Sequence, residues 1–125
     1  MPEFTLDAID TLEVDTFTRG YITAIFFTDG EEADGAGVPE LSPETLESIK
    51  TDCDTFQHEG GMYYESGEQA GVDFWLTRNC HGTGFWDNEE LYGVENARHL
   101  TELSHTYPER SLFLNDDGRL TLESA

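Results

Sequence analysis

The fold is decided by a stretch rich in large rings, Asp73-Phe74-Trp75-Leu76-Thr77-Arg78-Asn79-Cys80-His81-Gly82-Thr83-Gly84-Phe85-Trp86-Asp87. It contains both tryptophans and two of the eight phenylalanines of the chain. Apolar side chains alternate at Val72, Phe74 and Leu76 before an Asn-Cys-His-Gly segment, which is typical of a strand that enters a tight turn. The sequence therefore predicts a β-hairpin that lays its rings onto a core.

The same stretch carries a resemblance to known proteins. The chain is similar to a family of small proteins encoded by tailed phages and by bacterial prophages in three places: the run F-W-L-T-R-N-x-H-G-x-G-F-W-D at 74–87, a helix of the A-R-x-L-T-E type at 97–102, and a D-D-G turn at 116–118. The likeness spans 40–122 and is densest at 73–87. The family usually has Gly where this chain has Cys80, and it is less acidic. The resemblance implies a viral setting and carries over no catalytic residues.

The length of 125 residues predicts one domain that covers 1–125. A chain of this size buries about two-thirds of its unfolded surface, which is enough for a single core. Residues 1–10 are expected to form a frayed or strand-like lead. Residues 29–41, DGEEADGAGVPEL, combine glycines, a proline and acids, and this composition predicts an exposed acidic loop.

Three segments predict helices. The first begins at Asp10 or Asp15 and ends at the next Asp-Gly pair, although the β-branched and aromatic residues at 21–27 would equally suit a buried strand. The second begins with Ser42 as the N-cap and Pro43 in the first turn. The apolar stripes of the second and third helices are Leu46, Ile49, Cys53 and Phe56, and Ala97, Leu100, Leu103 and Tyr107.

A second hairpin is predicted near the C-terminus, where the apolar runs 112–114 and 120–122 flank an Asp-Gly turn. Residues 62–65 are a candidate short edge strand or packed loop. The predicted order is therefore α-α-β-β-α-β-β. This order indicates an α+β fold in which about three helices pack on a small antiparallel sheet made of two hairpins.

The charge limits the classes of partner. The chain has 27 Asp and Glu against 6 Lys and Arg, a net charge of −21, and Lys50 is its only lysine. Direct binding to DNA, RNA or an anionic membrane is excluded, because those partners need a basic surface. Two interpretations stay open: solvation or salt adaptation, and a nucleic-acid mimic whose carboxylates stand where phosphates would.

The acids are densest in the predicted acidic loop and on the outer face of the second helix. If part of the surface imitates a phosphate backbone, we expect it here, and the opposing interpretation is an ordinary solvated helix face. The predicted partner-binding residues are Glu31, Glu32, Asp34, Glu40, Glu44, Glu47, Asp52, Asp54 and Glu59.

Candidate chemistry centres on His81, which lies between Asp73 and Asp87 in sequence and beside Cys80. A hairpin would place the two aspartates at its open end and His81 at its tip, so a compact site is not expected. Paired CxxC, HExxH, GxSxG and phosphate-binding glycine motifs do not occur. We therefore predict no catalytic residue, metal or cofactor, and we expect Arg78 to pair with Asp73 or Asp87.

Two cysteines are too few for a disulfide framework, and a single bridge between Cys53 and Cys80 stays open. Cys53 is most simply a small core residue. The N-terminus lacks a secretion signal, and no apolar run is long enough for a membrane span, so a cytoplasmic protein of the infected host cell is expected.

The leading hypothesis for function is a phage-encoded inhibitor that occupies the basic nucleic-acid-binding surface of a host defence or nucleic-acid enzyme, such as a CRISPR or restriction complex. The first alternative is a non-inhibitory phage accessory or virion protein that binds through an aromatic surface of Trp75, Phe85 and Trp86. An ordinary protein of a salt-adapted host is a further alternative. The last hypothesis is a small metal-dependent hydrolase centred on Asp73, His81 and Asp87.

Overall fold

Helices dominate the part of the chain that the computed structural model describes, which is residues 14–29, 41–64, 67–80, 82–114 and 120–124. The elements in these ranges are helices α1 (Thr16–Asp29), α2 (Pro43–Gly60), α3 (Gly67–Arg78), α4 (Glu89–Tyr92) and α5 (Val94–Ser104), and strands β1 (Arg110–Leu114) and β2 (Leu120–Ser124). Single-turn 3₁₀ helices at Gly61–Tyr63 and Phe85–Asp87 follow α2 and precede α4. The most extensive helix pair is α1 with α3.

The predicted central hairpin is wrong, because its first strand is helix α3 and its second is a loop with a 3₁₀ helix. The buried residues of α3 are Ala70, Gly71, Asp73, Phe74, Trp75, Thr77 and Arg78. A helix enclosed on so many sides has no polar face, so its sequence lacks the periodicity that identifies an amphipathic helix. Helix α3 ends at Arg78, directly before the predicted Asn-Cys-His-Gly turn, and Cys80 adopts a φ of 55°. His81 of this turn lies outside the described residues.

Three predicted helices are confirmed as α1, α2 and α5. Asp15 caps α1, since its Oδ1 accepts the Thr18 N–H at 2.9 Å. Ser42 caps α2 in the same way, and its Oγ accepts the Thr45 N–H at 3.1 Å. The strand alternative at 21–27 is wrong, because these residues lie inside α1. The members of the predicted stripes that are fully buried are Ile49, Cys53, Phe56, Ala97 and Leu100.

The closing hairpin is also confirmed, with β1 and β2 antiparallel and Leu112 opposite Leu122. Its predicted Asp-Gly turn lies outside the described residues. The candidate edge strand at 62–65 is wrong at its start, which belongs to a 3₁₀ helix. Over the described ranges the order is α-α-α-α-α-β-β with one two-stranded sheet, so the predicted α+β sheet of two hairpins with about three helices is wrong.

Two further predictions fall largely outside the described residues. They are the frayed lead at 1–10 and the acidic loop at 29–41, of which only the two end residues are described.

Helices α1 and α3 approach each other until their backbones touch. A Cβ atom on Gly71 would lie 1.9 Å from the Phe17 carbonyl oxygen, and one on Gly20 would lie 2.1 Å from the Glu68 carbonyl oxygen. No side chain can relieve these overlaps, because both obstacles are main-chain atoms. Glycine at both positions therefore sets the distance between the two helices.

The core around this crossing consists mainly of stacked rings. Phe56 of α2 stacks on Phe74 of α3 with ring centroids 4.1 Å apart, and it also stacks on Phe17 and Phe85 at 5.6 and 5.8 Å. All four rings are at most 1% exposed. Aromatic contacts of this kind add about 0.5–1.5 kcal/mol each to the free energy gained by burial. Phe56 thereby joins α2 to both α1 and α3.

We expect Gly71→Ala to destabilise the protein by at least about 2 kcal/mol, because the added methyl group forces α1 and α3 apart across the whole ring core. Chemical denaturation monitored by circular dichroism measures this change. The control is Gly67→Ala in the first turn of the same helix, where a Cβ would meet its nearest atom at 3.7 Å. An equal effect of both substitutions would contradict the close crossing.

Candidate binding surfaces

Asp73, the first candidate for chemistry, is a buried carboxylate at 1% exposure. Its Oδ2 accepts hydrogen bonds from Tyr92 Oη at 2.6 Å, Asn88 Nδ2 at 3.1 Å and Gln69 Nε2 at 3.2 Å. Burial raises the pKa of this carboxyl, although the three hydrogen bonds act in the opposite direction. Its donors come from α3, from the segment before α4 and from α4, so Asp73 joins these elements.

Asp87, the second candidate, is exposed and shapes its own turn. Its Oδ2 accepts the Thr83 hydroxyl at 2.6 Å, and its Oδ1 accepts the Gly84 N–H at 2.8 Å. These hydrogen bonds lower the pKa of the Asp87 carboxyl. Among the described residues, no three His, Cys, Asp or Glu side chains come together to hold a metal ion, and His81 lies outside them. Both aspartates thus have structural partners, and the hydrolytic centre that would include His81 stays a hypothesis.

The expected pairing of Arg78 with Asp73 or Asp87 is wrong. The Arg78 side chain is 1% exposed, and its Nη1 lies 2.7 Å from Asp52 Oδ2 and 3.1 Å from Tyr21 Oη. Because α3 is a helix and not a strand, Arg78 points into the bundle and meets α1 and α2. Asp52 is thus partly a structural residue, although it was predicted to bind a partner.

The other acids predicted on α2 lie on its outer surface. Glu44, Glu47, Asp54 and Glu59 are all exposed. Glu47 and Asp54 are seven residues apart, so they share one face and are separated by about 10 Å along the helix axis. The remaining members of the predicted surface lie outside the described residues and are Glu31, Glu32, Asp34 and Glu40.

The predicted aromatic surface is wrong for two of its three members. Trp75 and Phe85 are 0% exposed, and the Trp75 Nε1–H donates to Thr28 Oγ1 at 2.8 Å inside the core. Trp86 differs, because 47% of it is exposed. Consecutive residues of the 3₁₀ helix therefore face opposite ways, with Phe85 towards the core and Trp86 towards solvent.

Trp86 was predicted to bind a partner, but the sequence did not reveal the exposed residues that surround it. Leu91 and Val94, which are 54% and 64% exposed, lie near it in the chain and share grooves with it. We call this the tryptophan surface, and its members are the apolar Trp86, Leu91 and Val94 with the acids Asp87, Glu89, Glu90 and Glu102. Residue type alone could not find it, because Trp75 and Trp86 are indistinguishable until their burial is known.

A second groove lies between α1 and α3. Its volume is about 460 Å³, and its lining residues include Ala24, Phe27, Val72 and Leu76. Phe27 is 86% exposed. The groove is almost wholly apolar and has no charged residue among those that line it, so it offers no electrostatic clue to an occupant.

The cysteines are not bridged. Cys53 is buried and Cys80 is exposed, and both are free thiols. Burial raises the pKa of the Cys53 thiol, which keeps it protonated in the core. Among the helices of the described ranges, none combines the length and the apolar composition that crossing a bilayer requires.

We expect Asp52→Ala to destabilise the protein by about 2 kcal/mol, because it leaves the buried Arg78 guanidinium without its carboxylate. Asp54→Ala on the exposed face of the same helix is the matched control and should change the free energy of unfolding by less than about 0.5 kcal/mol. Urea denaturation of both variants measures the difference. Equal stabilities would show that Arg78 does not need Asp52.

The pH dependence of stability should differ in sign between Asp73 and Asp87. The folded-state pKa of Asp73 lies above its ordinary value of 3.8. Its contribution to the free energy of unfolding is therefore fully present below pH 3.8 and is lost as the pH rises through the folded-state pKa. The folded-state pKa of Asp87 lies below 3.8, so its contribution is present above 3.8 and is lost as the pH falls. In the wild-type protein, Asp73 makes the free energy of unfolding fall as the pH rises, and Asp73→Asn should abolish this fall. Asp87 makes the free energy of unfolding rise with pH, and Asp87→Asn should abolish this rise.

Measurements of the unfolding free energy across the acidic pH range give these slopes. The slope is the informative quantity, because the Asp73→Asn substitution also disturbs the hydrogen bonds from Tyr92 and Asn88 at every pH. If both variants kept the wild-type slope, the assigned burial of Asp73 would be wrong.

No protein-family model, curated protein or solved structure matches the chain. Its function must therefore be inferred from its own exposed side chains.

Proposed function

We propose that the protein is a phage-encoded acidic inhibitor that binds the basic nucleic-acid-binding surface of a host defence or nucleic-acid enzyme. The proposed partner is a protein such as a nuclease, a CRISPR complex or a restriction complex, in the cytoplasm of the infected cell. The phage-type resemblance of residues 73–87 supports the viral setting, and the charge supports the kind of partner.

The observation that carries the proposal is the exposure of the carboxylates. With the exceptions of Asp52 and Asp73, every Asp and Glu whose side chain the structure describes is exposed. The acids therefore lie where a partner can reach them, on the outer face of α2 and around α4 and α5. Ion pairs between two exposed side chains contribute little singly, whereas many carboxylates of one sign create a field that steers a basic partner.

The cations do little to weaken this field. Arg78 is buried and paired with Asp52, and Arg19 is half-buried with its Nε 3.7 Å from Glu68. Of the cations in the described ranges, only Arg98 is exposed. Nucleic acid itself is a poor partner for such a surface, because phosphates would meet carboxylates at close range. A protein that normally binds nucleic acid has the complementary charge.

A second candidate function is a non-inhibitory phage interaction protein, an accessory or virion component. The exposed Trp86 favours it, since exposed tryptophans commonly anchor interfaces. The two functions differ in one measurable respect. An inhibitor of the proposed kind competes with nucleic acid for its partner, whereas an accessory protein does not.

We expect the immobilised protein to capture one nucleic-acid enzyme from host lysate and to release it at moderate salt. DNA or RNA should compete for the captured enzyme, because both ligands need the same basic groove. Mass spectrometry of a salt-gradient elution identifies the enzyme. Capture without competition would favour the accessory protein. If no captured protein showed salt-dependent release, the acidity would serve solvation or a salt-adapted cell, and the inhibitor would be excluded.

The captured enzyme then allows the α2 face to be tested. Replacing Glu47 by Gln and Asp54 by Asn should weaken binding by about tenfold at about 0.15 M salt and by less at higher salt. The matched control is Glu68→Gln with Glu109→Gln, which removes the same charge from exposed positions outside α2. Equal losses in both variants would mean that only net charge matters and that the α2 face has no special role.

A further inference from the structure

We propose that the tryptophan surface is the anchor for a basic amphipathic segment of a partner protein. The segment would place one large apolar side chain against Trp86 and Val94, and its Lys or Arg side chains against the surrounding carboxylates. This inference rests on the proposed function in one respect: it specifies which part of the basic partner binds to the tryptophan surface.

The apolar part of the surface has room for a side chain. A groove of about 240 Å³ runs between Trp86 and α5, and Val94 and the buried Ala97 contribute to its apolar lining. This volume is below the usual size of a small-molecule pocket, which is about 300–1,000 Å³. It suits one side chain of a protein segment better than a whole ligand. On its other flank, Trp86 shares a second, wider groove of about 530 Å³ with Leu91, so only the groove towards α5 has a volume below that of a small-molecule pocket.

The backbone that carries Trp86 is held on both sides. Before it, the Phe85 N–H donates to Thr77 Oγ1 at 3.0 Å, and the Phe85 ring lies in the core. After it, Asp87 closes the turn through Gly84, and Asn88 donates to the buried Asp73. A backbone that is already held loses little conformational entropy when a partner binds, so Trp86 is suited to be an anchor.

Charge selects the occupant. The carboxylates of Asp87, Glu89 and Glu90 line the groove towards Leu91, and those of Glu89 and Glu102 lie beside the groove towards α5. Arg98 is the one cation among these lining residues. Lys or Arg side chains on the partner would pair with the carboxylates, and they could also stack on the Trp86 ring.

The same charges argue against two other occupants. An exposed tryptophan could stack on a nucleic-acid base, but the attached phosphates would lie among carboxylates. A second copy of this chain would bring an identical acidic ring against the first in a symmetric dimer, since both copies would present the same patch. A basic protein segment satisfies both the apolar and the acidic parts of the surface.

The probe for this inference is a synthetic amphipathic peptide of Leu and Lys, titrated into protein labelled with 5-fluorotryptophan. The two tryptophans give two ¹⁹F signals, which Trp86→Phe assigns. We expect saturable movement of the Trp86 signal with the Trp75 signal unchanged. Isothermal titration calorimetry with the same peptide measures the affinity of each variant, because Trp86→Ala has no reporting signal. Trp86→Ala should weaken binding by at least about tenfold, and Val94→Ala, at a more exposed position, by about threefold.

Phe27→Ala is the matched control, because Phe27 is an exposed ring in the other apolar groove, and it should change affinity by less than about twofold. Circular dichroism checks that each variant is folded. A peptide with Glu in place of Lys should leave the Trp86 signal unmoved. The inference is overturned if the Leu and Lys peptide does not move that signal, if Trp86→Ala binds it equally well, or if single-stranded DNA moves the signal instead.

Failure of this inference can be separated from failure of the proposed function. If Trp86→Ala captures the salt-released enzyme as well as wild type does, the anchor is wrong and the inhibitor stands. If wild type captures no such enzyme, the inhibitor is wrong, and the peptide titration still decides whether the tryptophan surface binds basic segments.

Discussion

A single guanidinium, buried at the C-terminal end of α3, holds together parts of the chain that are distant in sequence. Arg78 donates to Tyr21 of α1, to Asp52 of α2 and, through Nε at 2.7 Å, to the carbonyl oxygen of Pro108 before β1. The ring of Tyr107 lies 5.4 Å from its Cζ. A charge at this depth is tolerated only with such partners. Arg78 therefore fixes how α1, α2 and the segment before β1 pack against α3.

The rest of the molecule keeps the full negative charge of the chain. The chain has only 6 Lys and Arg, and one of them is enclosed with Asp52. Because this pair removes one charge of each sign, the other side chains still carry a net charge of −21. Mutual repulsion of exposed carboxylates opposes folding, and the stacked rings around Phe56 oppose that repulsion by holding three helices together. A dense aromatic core is thus what allows such an acidic surface.

The amphipathic helices could be predicted from the sequence, and the enclosed one could not. Ser42 marked the start of α2, and helical spacing placed Glu47 on its outer face, because one side of that helix meets water. Helix α3 is covered on nearly all sides, so its pattern gives no period, and a strand fitted the apolar alternation equally well. The partner of Arg78 depends on how α2 packs against α3. Trp86 could not be separated from Phe85, since their difference comes from the turn of a 3₁₀ helix that only tertiary packing fixes.

The buried hydrogen bonds of helix α3 position the exposed Trp86. Thr77 of α3 accepts the Phe85 N–H, and Asp73 of α3 accepts from Asn88, so the enclosed helix holds the backbone on both sides of Trp86. The Tyr92 hydroxyl of α4 also donates to Asp73, so the same carboxylate helps to position α4, which carries the exposed Leu91. Asp73 and Asp87, which made residues 73–87 resemble a reactive centre, therefore help to position Trp86. Asp73 and Thr77 are thus engaged inside the fold, while Trp86 stays exposed.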